Sequence, residues 1–195
     1  MRKGHERMSR YDVIIIGAGP GGIFAAYELM QKAPGLKVAV LESGNPLEKR
    51  KCPIDGKKVK SCISCNTCDI MSGFGGAGAF SDGKYNITND FGGTLYEYIS
   101  KDTAISLMRY VDEINVMYGG KGTRMYSTAG TRLKKLCMQN KLKLLDASVR
   151  HLGTDINYVV LENLFGELKD KVDFRFNCHV DDVELMDGGY RIITK

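Results

Sequence analysis

The stretch Tyr11-Asp12-Val13-Ile14-Ile15-Ile16-Gly17-Ala18-Gly19-Pro20-Gly21-Gly22 decides the reading of this 195-residue chain. After Asp12 the run is apolar and β-branched with no polar alternation, the pattern of a strand buried on both faces of a parallel sheet. Ile23, Ala26, Tyr27 and Met30 then recur at helical spacing across residues 22–32, and Pro34-Gly35 supplies a stop. A second buried strand is expected at residues 37–41, Lys37-Val38-Ala39-Val40-Leu41, ending on Glu42.

Strand, glycine turn, helix, strand and terminal acid together make a dinucleotide fingerprint with G-x-G-x-x-G on Gly17, Gly19 and Gly22. Each glycine has a steric role: Gly17 permits the tight turn, Gly19 lets the backbone approach a pyrophosphate, and Gly22 lets helix and strand pack closely. The helix N-terminus offers unpaired N–H groups and a positive dipole end to phosphate oxygens. Glu42, at the tip of the second strand, is placed to accept hydrogen bonds from a ribose diol. A carboxylate there repels a 2′-phosphate, which argues for the adenosine of FAD or NAD and against NADP at this site.

The composition, 43% hydrophobic and 26% charged, is that of an ordinary globular protein long enough to bury a sizeable core. Lys and Arg are spread along the chain to a net charge of +5, densest at Lys57-Lys58-Val59-Lys60, so nucleic-acid binding is not expected. No apolar run is long enough to span a bilayer, and residues 1–10 are charged rather than signal-like, so a cytoplasmic location is expected. In that reducing setting six cysteines read as thiols or metal ligands before disulfides.

Beyond Glu42 the doubly wound pattern stops. Residues 45–70 form a polar excursion rich in lysine and cysteine, and residues 73–84 are too glycine-rich for a regular interior element. A long helix is expected at 94–118 and a short basic one at 131–139. Strands are expected at 142–145 and 148–152, and a helix from Gly153-Thr154-Asp155 with Thr154 as its cap. A strand at 172–176 and a hairpin of 180–186 with 190–194 follow. The organisation expected is a first βαβ unit at 10–43, an excursion and the start of a helical substrate region at 44–150, and a return to the first domain at 151–195. Ending on a hairpin, the chain reads as the N-terminal part of a longer protein.

The fingerprint, the run Gly75-Gly76-Ala77-Gly78-Ala79-Phe80-Ser81-Asp82-Gly83-Lys84 and His151-Leu152-Gly153-Thr154-Asp155 together resemble bacterial FAD-dependent dehydrogenases within the glutathione-reductase-like flavoproteins. The resemblance implies an α/β, Rossmann-like FAD-binding domain with a parallel sheet, interrupted by the Cys/Gly-rich excursion and part of a second domain, and truncated at its C-terminus. It implies an oxidoreductase passing hydride or electrons through flavin to or from a small-molecule substrate, with NAD(P)H a candidate electron donor. FAD would lie on Gly17, Gly19, Pro20, Gly21 and Gly22, with its ribose on Glu42 and Ser43. The strand at 172–176 would lie beside the first two, and Val180 would meet the adenine. Such proteins close the cofactor site with a later Ala-Thr-Gly-like turn that this sequence lacks, so weak retention of FAD and an inactive fragment are expected. Gly76, Ala77, Gly78, Ser81 and Lys84 are candidate flavin contacts, against a reading as a solvent-facing turn cluster.

Cys52, Cys62, Cys65 and Cys68 form a C-x9-C-x2-C-x2-C array. Three readings stay open: ligands of a tetrahedral zinc or an iron–sulfur cluster, a redox dithiol beside flavin, or loosely placed thiols. With zinc bound, the protein would read as a non-catalytic dinucleotide- or metal-binding module. Cys137 and Cys178 are expected in the core. His151 is a candidate acid or base, or simply an orienting loop residue, and Asp155 a first-turn carboxylate. Arg124 and Arg132 read as ligands of an acidic substrate or as solvated surface. No catalytic residue is assigned.

Overall fold

The computed structural model describes residues 9–195, so the reading of the charged first residues falls mostly outside the described part. The elements run β1 (Val13–Ile16), α1 (Pro20–Lys32), β2 (Val38–Leu41), β3 (Lys84–Ile87), α2 (Lys101–Asn115), β4 (Met125–Ser127), α3 (Arg132–Gln139), β5 (Ser148–His151), α4 (Gly153–Leu168), β6 (Asp173–Arg175), β7 (Val180–Met186) and β8 (Gly189–Thr194). The chain divides into two units, one formed by the chain up to Gly78 with Leu164–Lys195, the other by Ala79–Asn163.

In the first unit β1, β2 and β6 form a parallel sheet in the order β1-β2-β6. Val13 pairs with Val38 and Ile16 with Leu41, while Val40 pairs with Phe174. β2, the central strand, is buried along its whole length. β1 departs from the expectation of burial on both faces: it is half-buried and ends on an exposed Ile16, and among the described residues it is an edge strand. On α1 the buried residues are Ile23, Ala26, Tyr27 and Met30, the stripe the spacing predicts. Phe74, fully buried, meets Phe165 edge-on at 5.0 Å between ring centroids and Phe174 at 5.7 Å. The edge-to-face geometry suits the ring quadrupoles, and this aromatic cluster anchors the glycine-rich segment around Phe74 to the sheet. β7 and β8 pair as the expected hairpin, with an irregularity between Val180 and Asp182.

The second unit carries an antiparallel sheet in the order β3-β5-β4. The helix expected over 94–118 is interrupted: a 3-10 turn occupies Leu95–Glu97, and α2 starts afresh at Lys101 because the Ser100 hydroxyl accepts the Thr103 N–H at 3.1 Å. Residues 142–145 are not a strand. Lys143 breaks the apolar run, and Leu142 and Leu145 stay exposed, so no face is available to bury against a sheet. The glycine-rich run is also more regular than expected, with a 3-10 segment at Gly76–Phe80 and β3 beginning at Lys84. α4 begins at Gly153, one residue ahead of the expected cap, and the Thr154 hydroxyl donates instead to the Ser81 carbonyl at 3.3 Å. Asp112 receives Arg150 through Nε at 2.6 Å and Nη2 at 2.9 Å, a nearly buried pair joining α2 to β5.

No helix among the described residues is long and apolar enough to cross a membrane.

Candidate nucleotide-binding site

The turn between β1 and α1 is held to β2 by the Gly17 N–H, which donates to the Leu41 carbonyl at 2.7 Å while Gly17 adopts φ 95°. A Cβ at Gly22 would overlap the Gly17 carbonyl oxygen, so only glycine lets the first helical turn sit this close to the strand. Gly19 is the N-cap of α1, Pro20 opens the helix, and no side chain caps it. Pro20 has no N–H, and the Ile23 N–H is taken by the Gly19 carbonyl at 3.0 Å. The Gly21 and Gly22 N–H groups are therefore the helix donors without an intrahelical acceptor. Space for a Cβ at Gly17, Gly19 and Gly21 is open, with no heavy atom within 4 Å. An uncapped, positively polarised helix end facing open space is what a phosphate oxygen requires.

A second segment folds back onto this turn. The Gly75 N–H donates to the Ala18 carbonyl at 2.8 Å, and a Cβ at Gly76 would come within 3.2 Å of Gly19 Cα. Gly78 lies over Pro20, 3.7 Å from its Cγ to the position of a Cβ. Gly76 and Gly78 thus stand beside Gly19 and Pro20, with Ala77 between them in the chain. Ser81 and Lys84 belong to the second unit; there the Ser81 hydroxyl accepts the Gly83 N–H at 3.2 Å and Lys84 pairs with Asp82 at 2.7 Å on an exposed surface. His151 is the exposed last residue of β5, and Asp155 lies in the first turn of α4. Val180 opens β7, half-buried.

Glu42 is buried, 5% exposed, and its carboxylate is occupied by the protein itself. Oε2 accepts the Ala18 N–H at 2.7 Å, while Oε1 accepts the N–H groups of Gly44 and Gly73, both at 2.8 Å, and the Ser43 hydroxyl at 3.3 Å. Burial alone would push its pKa up, but the N–H groups of Ala18, Gly44 and Gly73 outweigh it and hold Glu42 below the ordinary carboxylate value. The acid at the tip of β2 is thus the knot that ties the fingerprint turn to the segment around Gly73.

Arg50 is a residue that local spacing does not reveal. Its buried guanidinium donates from Nε to the Asp69 carbonyl at 2.8 Å, from Nη2 to the Ile70 carbonyl at 2.9 Å and from Nη1 to the Phe74 carbonyl at 2.7 Å. Burial lowers its pKa, and the charges of Glu42, Asp69 and Cys68 work against that shift. Asn45 completes the clasp, its Nδ2 donating to Asp69 at 2.9 Å and its carbonyl accepting the Phe74 N–H at 3.1 Å. The only advance signal was compositional: an arginine between two glycine-rich turns, with no acid at helical spacing beside it.

All six cysteines are free thiols, and Cys137 and Cys178 are half-buried rather than in the core, Cys178 lying outside any helix or strand. Cys52, Cys62, Cys65 and Cys68 line one cavity of about 80 Å³. Among the described residues no group of three or more His, Cys, Asp or Glu is arranged to hold a single metal ion. The reading of the four as ready ligands of one tetrahedral zinc therefore has no support in the geometry.

The model of the Thi4 family matches residues 3–46, the part of the chain that carries the fingerprint. No curated protein matches the sequence. Glycine oxidase from Geobacillus kaustophilus superposes with a TM-score of 0.50 at 16% identity, over 96% of this chain and 52% of that one. The fold is the Rossmann type. L-α-glycerophosphate oxidase from Mycoplasma pneumoniae, solved with FAD bound, matches at 15% identity and a TM-score of 0.45, over 96% of this chain and 50% of that one. THI4 of Thermovibrio ammonificans matches at 14% identity and a TM-score of 0.41, over 93% and 45%. The chain spans about half the length of these solved structures.

Proposed function

We propose that this chain is the cofactor-binding part of an FAD-dependent oxidoreductase that acts on a small-molecule substrate. The observation that carries the reading is the uncapped N-terminus of α1, open above Gly17, Gly19 and Gly21, with the Gly75–Gly78 segment laid alongside it. The residues present fit a dinucleotide: the Gly21 and Gly22 N–H groups and the dipole of α1 receive the diphosphate. Glu42 has a narrower part than its position alone suggests. A carboxylate offers about four lone-pair sites, and three backbone N–H groups and the Ser43 hydroxyl already use Glu42, so a ribose hydroxyl would take the place of the Ser43 hydroxyl, its longest contact, while the N–H groups go on holding the turn.

When bound, the flavin supplies the hydride or electron transfer. The chain's own contribution is binding and orientation: glycines keep side chains out of the phosphate path, and the Glu42 and Arg50 contacts fix the distance between the two glycine-rich segments. The resemblance of the run Gly75 to Lys84 to FAD-dependent dehydrogenases supports FAD over NAD held directly.

The test is a titration of the purified protein with FAD, read by quenching of flavin fluorescence, alongside the same titration with NAD followed by its own signal. Saturable FAD quenching is expected, weakened at least tenfold by Gly22→Ala because the new methyl displaces the Gly17 carbonyl. Saturable NAD binding with no response to FAD overturns the reading, as does FAD binding unaltered in Gly22→Ala.

A further inference from the structure

We propose that residues 52–68 form a site for a [4Fe–4S] cluster, with Cys52, Cys62, Cys65 and Cys68 as its ligands. The inference stands apart from the flavin reading, because it rests on a loop that contributes nothing to the phosphate turn.

All four thiols line the same small cavity, whose other walls include Pro53, Ile54, Ile63 and Ile70. Yet no three of them are arranged to hold one ion. Tetrahedral zinc with Zn–S bonds of about 2.3 Å draws its sulfurs to within roughly 4 Å of one another. A cubane cluster behaves differently, because each cysteine binds its own iron and the four sulfurs stand apart around a larger body. Four thiols lining one cavity supply the one sulfur per iron that such a cluster takes.

The spacing agrees. Cys62-x2-Cys65-x2-Cys68 repeats the tight triplet of the bacterial ferredoxin run, in which the fourth ligand of a cluster comes from a cysteine remote from its triplet, the place Cys52 takes here. Here the remote cysteine precedes the triplet, a permutation that a closed loop allows. A structural zinc module would instead supply two separate C-x2-C pairs.

The local backbone also favours bound thiolate sulfur. Ser64 takes φ 52°, and its N–H donates to Cys62 Sγ at 3.4 Å. N–H donors to cysteine sulfur are a lever that stabilises iron–sulfur clusters and tunes them. Four thiolates make the assembled cluster anionic, and Lys51, Lys57, Lys58 and Lys60 give the same stretch of chain positive charge. Ile54 and Ile63, both exposed, would shield the cluster from water.

Energetics give the excursion a need for such a centre. Residues 51–68 contain no helix or strand, and most of their side chains are exposed, so no apolar core orders them. Protein structure of that length without its own secondary structure usually serves a function, and a bound metal centre supplies the ordering free energy that burial does not.

The experiment uses the whole chain purified without oxygen and reconstituted with ferrous iron and sulfide, then desalted. Expected are about four iron and four acid-labile sulfide per chain, and a paramagnetic signal after dithionite that free flavin does not give. Cys62→Ser and Cys65→Ser should each lower bound iron to below about one per chain, while Cys137→Ser, outside residues 52–68, retains the wild-type content. Tight zinc at one per chain with no sulfide taken up would overturn the proposal. So would a Cys62–Cys65 disulfide in the anaerobic protein, or iron content unchanged in both serine variants.

Discussion

Removing the charge of Glu42 probes the centre of the site. In Glu42→Gln the side chain keeps its shape but has one acceptor oxygen. If that oxygen faces Gly44 and Gly73, the new amide NH2 is turned toward the Ala18 N–H, donor against donor, in a buried setting. One orphaned buried donor costs about 1–3 kcal/mol, and charge-assisted bonds are worth about 1.5–3 kcal/mol against about 1 for neutral ones. The sum is a loss of about 3 kcal/mol. Glu42→Ala orphans all three donors at about 3–9 kcal/mol, comparable with the whole stability of a domain, about 5–15 kcal/mol. With no tryptophan in the chain, urea unfolding followed by far-ultraviolet circular dichroism is the natural assay. The pH dependence has a fixed sign. Glu42 has a depressed folded-state pKa, so its contribution is fully present above the unfolded value of about 4.3 and is lost as pH falls through the folded value. The gap between wild type and Glu42→Gln should therefore be full at pH 7 and shrink below about pH 4. A loss under about 1 kcal/mol, or a gap that does not shrink in acid, would refute the role of Glu42 as a knot and return it to ligand binding alone.

Two further perturbations address the second unit. Asp112→Ala strands the Arg150 guanidinium, only 13% exposed, and should destabilise by about 3–5 kcal/mol, whereas the double change Asp112→Leu with Arg150→Leu should lose much less in the same urea assay. Ser100→Ala removes the cap of α2 and should cost about 1 kcal/mol, with helical signal retained; a loss above about 3 kcal/mol would mean that Ser100 holds more than the Thr103 N–H.

What the sequence disclosed is the part of the chain where one residue type answers one local demand. Ile23, Ala26, Tyr27 and Met30 mark the inner face of α1 because helical period and burial coincide there, and Val38 to Leu41 are apolar throughout because both faces of β2 are covered. β3 stayed hidden because Lys84 and Asn86 face outward in a short strand that follows a glycine-rich run. The break before α2 was legible in principle, since Ser100 precedes Thr103 at cap spacing, but the apolar periodicity running through it masked the signal. The site was legible as a turn and illegible as an assembly. Gly17 to Gly22 announce themselves by spacing, whereas the contacts of Glu42 with Gly73 and of Arg50 with the carbonyls of Asp69, Ile70 and Phe74 join residues about 20 to 30 positions apart through backbone atoms, which leave no side-chain pattern to read.

The Arg50 clasp has an evolutionary consequence. Three of its N–H groups pin the carbonyls of Asp69, Ile70 and Phe74, so the chain leaves the nucleotide turn and comes back to it at nearly one point. Everything between is a cartridge. Because closing a loop costs free energy that grows only as the logarithm of its length, inserts of different size or content can be exchanged at that port with little strain on the Gly17 turn. A protein built in this way can lengthen, shorten or replace the inserted segment while its phosphate-binding end goes on unchanged.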